Sequence, residues 1–104
     1  MINYIKTENS FNKLLKKGTK YSEDVTFLFT SPYDKYSKTI VEEIEKGNHE
    51  LKESVNVIDS FETPHAFVAF DTTQVPCLVS IKNRKKDIEY YVPLIYEKLG
   101  VSLP

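Results

Sequence analysis

The chain has 104 residues, enough for one hydrophobic core and too few for two, so a single domain over 1–104 is expected. Hydrophobic residues at 40% and charged residues at 28% exclude a disordered chain, and no apolar run approaches the ~20 residues of a helical membrane span. A formal net charge of -1 supplies no long-range field to draw nucleic acid or an anionic membrane, and the single cysteine, Cys77, excludes an internal disulfide, a CxxC pair and a multi-cysteine metal site.

The N-terminus lacks a basic-then-apolar leader, so a cytoplasmic location is expected. Ile2 to Lys6 has a short-strand pattern. Asn9-Ser10 then reads as a helix cap, Phe11, Leu14 and Leu15 fall at i, i+3 and i+4, and Gly18 reads as the stop of a helix over about 11–17. Val25 to Thr30 is β-branched and aromatic with almost no polar break, the pattern of a central strand covered on both faces. Ser37, Ile40, Val41 and Ile44 form the inner stripe of a second helix, which Gly47-Asn48 ends.

Glu53 to Asp59 reads as another parallel strand. Thr63-Pro64 opens a short helix running to about Phe70, with proline at its favoured first position. Cys77 to Ile81 is a strong strand pattern, preceded by Val75-Pro76 and followed by a turn through Asn83-Arg84-Lys85-Lys86. Ile88, Tyr91, Val92, Ile95, Tyr96 and Leu99 match a helical stripe, yet Pro93 inside such a helix costs about 3 kcal/mol. The preferred alternative is an edge strand over 88–92 and a helix starting at Pro93.

The order β-α-β-α-β-α-β-β-α, with an X-Pro dipeptide before the fourth strand, resembles the thioredoxin family over essentially the whole chain. Asn9-Ser10-Phe11 stands where the family has its first helix start, and Phe27 to Lys38 stands where it has a strand followed by the WCGPCK active site. Val57-Ile58-Asp59 and Val75 to Asn83 stand where it has the third strand and the cis-proline strand with its turn. The resemblance implies an α/β fold, with a central mixed sheet of four to five strands flanked by helices on both faces. It also implies a cis bond before Pro76 that exposes the backbone of Val75 to an extended peptide or glutathione.

The departures bear on function. Dithiol exchange needs a low-pKa thiolate at the helix start and a second thiol three residues on. The resemblance puts Asp34 and Ser37 at those positions, Tyr33 in place of the family's tryptophan, and Leu28 in place of its buried, proton-shuttling aspartate. Arg84 stands where the family usually has glycine, and the segment before Pro76 is about two residues longer than usual.

The leading expectation is a redox-inactive protein, without enzymatic thiol chemistry or a cofactor. It binds another protein through Tyr33, Asp34, Lys35, Tyr36, Gln74, Val75 and Pro76. Asp34 also has a plain reading as a helix N-cap, and Ser37 as a semi-buried helix residue. Cys77 carries the alternative, a monothiol or glutathione-binding protein, against its reading as a small core hydrophobe. Lys82, Arg84, Lys85 and Lys86 form a charge run that reads as a solvated turn rather than a nucleic-acid site. His49 and His65 show no metal-ligand spacing with each other or with Cys77, so no metal is expected.

Overall fold

The computed structural model describes residues 2–47 and 51–103. In chain order the elements are β1 (Ile2–Ile5), α1 (Glu8–Lys20), β2 (Val25–Thr30), α2 (Lys35–Glu45), β3 (Val55–Asp59), α3 (Pro64–Ala69), β4 (Cys77–Lys82), β5 (Lys85–Glu89) and α4 (Val92–Leu99). The five strands form one sheet in the order β1-β3-β2-β4-β5. The first three neighbours run parallel, and β4 and β5 are antiparallel to theirs. This is the mixed α/β sheet that the family resemblance implies.

Every residue of β2 is buried, because its alternating side chains serve two cores. Phe27 and Phe29 join Phe11 of α1, Ala66 of α3 and Phe70 on one face. Leu28 joins Ile40 and Ile44 of α2 with Ile95 and Leu99 of α4 on the other. The aromatic layer is packed at ring-to-ring distances of 5.2 Å for Phe11–Phe27 and 4.9 Å for Phe29–Phe67. Such offset and edge-on pairs add to the plain burial of their area.

Several element boundaries differ from the sequence pattern. The cap of α1 is Thr7, whose Oγ1 accepts from the Ser10 N–H at 3.1 Å, so Asn9 and Ser10 lie inside the helix. Gly18 does not stop α1, which continues to Lys20. Its role is close approach: a Cβ there would lie 3.1 Å from Cγ2 of buried Ile81. Strand β3 begins at Val55 rather than Glu53.

Thr63 occupies the N-cap position of α3, but its hydroxyl donates to the Ile5 carbonyl at 3.1 Å instead of capping the helix. Helix α2 is followed by Gly47 at φ 70°; Asn48, the other half of that stop signal, lies outside the described residues.

The largest correction is at the last hairpin. Asn83 and Arg84 both take positive φ, 52° and 66°, the signature of a two-residue hairpin turn of type I′. Lys82 therefore pairs with Lys85 at once, and β5 covers Lys85–Glu89 rather than 88–92. The lysines that suggested a turn are strand residues on a solvent-facing edge. Helix α4 starts at Val92, one residue before Pro93, so the proline still lies in the first turn, where its missing N–H costs nothing.

Because a side chain at position 18 would press on fully buried Ile81, Gly18→Val is expected to lower stability by about 1–3 kcal/mol, although valine is a better helix former than glycine. Urea denaturation of the two proteins measures the difference; equal midpoints would contradict the close-approach role.

Candidate functional site

The chain leaves β2 at Thr30, crosses Ser31-Pro32-Tyr33 and enters α2. Asp34 is the N-cap, with its Oδ2 accepting from the Ser37 N–H at 2.8 Å. Ser37 is buried, and its Oγ accepts from the Ser31 N–H at 3.3 Å. Together these bonds satisfy donors that a helix start and a tight turn leave without helical partners. Leu28, further back on β2, is fully buried in the apolar layer under α2 and α4, so no titratable side chain stands there.

Antiparallel pairing of Phe29 with Cys77 brings the start of β4 beside the end of β2. The Val75–Pro76 bond is cis. Pro76 is buried, Val75 is half-buried against the aromatic layer, and Gln74 is exposed. On the α2 side Lys35 is exposed, with Tyr36 at 60% and Tyr33 at 83% of their maximal accessibility.

Tyr33 is not isolated. Its ring meets Phe61 edge-on, with centroids 5.2 Å apart and planes at 87°, and Phe61 is itself 64% exposed. The loop holds Phe61 by an Asx-type bond from its N–H to Asp59 Oδ1 at 2.7 Å. Phe61 was not among the sequence candidates. Its available signal was a large aromatic within Ser60-Phe61-Glu62-Thr63-Pro64, a run otherwise made of polar and turn-forming residues.

Cys77 is fully buried in the aromatic layer. The thiol is pushed up to about 11, chiefly by burial and also by the Glu89 carboxylate, while the Tyr90 hydroxyl pulls the other way. A nucleophilic or glutathione-linked thiol needs the opposite shift.

Lys82, Lys85 and Lys86 line a hollow shared with Glu53 and Asp87, Lys86 lies over the Phe70 ring at 5.1 Å, and Arg84 donates to the Lys20 carbonyl at 3.4 Å. Lys82 also pairs with Glu53 at 3.4 Å. His65 is exposed on α3 and His49 lies outside the described residues. Among the described residues, no three His, Cys, Asp or Glu side chains group so as to hold a metal, and no helix is long and apolar enough to cross a membrane.

The sheet order, the two helix layers and the corner before α2 are those of a thioredoxin-like fold. No protein-family model matches the sequence, and no curated protein sequence does. Solved structures do. Thioredoxin O2 from Arabidopsis thaliana is 21% identical with a TM-score of 0.72, covering 95% of this chain and 94% of its own. A thioredoxin from Schistosoma mansoni gives 14% and 0.75 over 94% and 92%, and one from Trypanosoma brucei brucei gives 14% and 0.73 over 94% and 87%. These likenesses extend over almost the whole chain and establish the fold.

Removing the cap with Asp34→Ala is expected to cost about 0.5–2 kcal/mol, while Asp34→Ser retains most of the stability, read by thermal or urea unfolding. A serine variant as unstable as the alanine variant would mean that Asp34 does more than cap.

For Cys77 the pH dependence has a definite sign. The folded thiol titrates above the ~8.5 of an unfolded one, so its contribution is complete below that pH and is lost as pH rises through about 11. Cys77→Ala should therefore flatten the decline in stability between about pH 8.5 and 11 by ~2–3 kcal/mol. Alkylation of the native protein should be slow at pH 8 and accelerated by denaturant; rapid native alkylation would contradict the buried thiol.

Proposed function

We propose that this chain is a redox-inactive thioredoxin-like protein that binds another protein, as an extended segment, along the start of α2 and the strand entry at Val75-Pro76. The observation that carries this reading is the exposed Tyr33–Phe61 pair. A single exposed aromatic is ordinary on a protein surface, but two touching rings with Tyr36 one turn away make a patch of the composition found at interface cores. Large, rigid rings lose little conformational freedom on binding, which is why they serve as anchors.

The chemistry of the corner supports the same reading. Asp34 and Ser37 use polar atoms to hold the helix start, and neither forms or resolves a mixed disulfide. Lys35 and Gln74 flank the patch as exposed polar residues, the usual composition of an interface rim. Cys77 fills the core beneath the groove.

Two measurements test this. With dithiothreitol as electron source, the protein should reduce a protein disulfide no faster than dithiothreitol alone; turnover comparable to a dithiol thioredoxin would overturn the redox-inactive reading. In affinity capture from the native cell's lysate, a partner retained by the unmodified chain should be lost by both Tyr33→Ala and Val75→Asp. Retention by both variants would remove the corner as the binding site.

A further inference from the structure

Between α2 and the carboxyl ends of β1, β3 and β2 lies a crevice of about 350 Å³. The strand β2 leads into α2 on one face of the sheet, whereas β3 leads into α3 on the other. The crevice therefore sits at the switch point of the sheet, where neighbouring strands send their connections in opposite directions. Open α/β sheets hold ligands in such a place, because the diverging backbones leave a gap that neither helix layer fills. Its volume is at the small end of ligand cavities.

The floor is apolar, made by Ile5, Pro32, Val41 and Val57. The walls carry Glu42, Glu45, Asp59 and Glu62 against one cation, Lys38. Two of these carboxylates are already oriented: Glu45 accepts from the Tyr4 hydroxyl, and Asp59 accepts from the Phe61 N–H. Glu42 and Glu62 form no ion pair among the described residues, and Lys46 on the same helix is held by Glu43 at 2.8 Å. An apolar floor below more carboxylates than cations fits a group with an aliphatic stem and a cationic head.

Crevice and aromatic patch are built from neighbouring residues of the same two loops. Pro32 in the floor precedes Tyr33, and Glu62 in the wall follows Phe61. We propose that the crevice takes the side chain of a lysine or arginine from the partner that lies on Tyr33 and Phe61. The inference rests on the partner-binding reading above and specifies the chemistry of that partner. The aromatic pair receives its main chain or an apolar residue, and the switch-point crevice receives its cation.

Amide-shift NMR titration of the full chain tests this with four probes: n-butylguanidinium chloride, n-butanol, and the blocked tripeptides Ac-Leu-Arg-Leu-NH2 and Ac-Leu-Gln-Leu-NH2. Both cationic probes should shift the amides of Ser31, Val57 and Asp59 and bind on the order of tenfold more tightly than their neutral counterparts. The double variant Glu42→Gln, Glu62→Gln and about 0.5 M sodium chloride should each erase most of that preference, with the amide spectrum reporting that the variant remains folded.

Equal responses to charged and neutral probes, or shifts confined to other regions, would overturn the proposal. Preference for butylguanidinium without preference for the arginine peptide would assign the crevice to a free small cation and overturn the partner source. Tyr33→Ala separates the two readings: it should weaken the peptide while sparing butylguanidinium. Peptide affinity unchanged by Tyr33→Ala, with the cation preference intact, would sink the aromatic docking site and leave the cation crevice standing.

Discussion

The burial of β2 on both faces is the constraint from which the rest of the structure follows. Phe27 and Phe29 are anchored among the rings of Phe11, Phe67 and Phe70, while Leu28 is anchored under α2 and α4. A strand pinned by both helix layers has no freedom to slide, since a one-residue slip would exchange its two sets of side chains. Two buried polar groups tie it to β3 as well. Thr30 Oγ1 donates to the Ile58 carbonyl at 2.9 Å, and Asn56 Nδ2 donates to the Thr26 carbonyl at 3.0 Å. The exit of β2 is thus fixed in space, and the corner, the aromatic pair and the crevice inherit that rigidity.

Within the corner, hydrogen-bonding groups and exposed rings are separated. Asp34, Ser37 and Ser31 direct their hydrogen bonds inward and hold the backbone in the turn. Tyr33, Tyr36 and Phe61 face solvent. Dithiol exchange depends on a thiolate stabilised at the helix start, and a carboxylate already accepting from the first turn has a different task at the same place. Cys77 lies close in sequence to the groove but one layer down, where burial disfavours its charged form.

How much of this the sequence reveals depends on the range over which each feature is determined. The β-branched and aromatic run 25–30 and the stripe Ile40, Val41, Ile44 specify β2 and α2 through local pattern, and the structure keeps both. Gly18 misleads because two unrelated demands select the same residue: a helix stop and close packing against a distant strand. The packing against Ile81 crosses sixty-odd positions and leaves no local mark. The lysines at 85 and 86 mislead because charge is equally at home in a turn and on an exposed edge strand; only the paired left-handed conformations of Asn83 and Arg84 decide between them. At the candidate site, the capping geometry of Asp34 was legible from residue type and position. The contact of Tyr33 with Phe61 and the carboxylates gathered from β3, α2 and the loop after β3 were not, because they come together only when the sheet is assembled.

The two margins of the sheet are built differently from its centre. On one side β1 is only four residues long; on the other, β5 carries Lys85, Lys86, Asp87 and Glu89 with almost every position open to water. Short or charged margins discourage the addition of a foreign strand, since a newcomer must desolvate those charges to reach the backbone. The chain therefore carries exposed aromatic rings at one end without also offering a template for fibrous growth along its flanks. Lateral growth is opposed at both margins even though Tyr4 on β1 and Ile88 on β5 are themselves exposed.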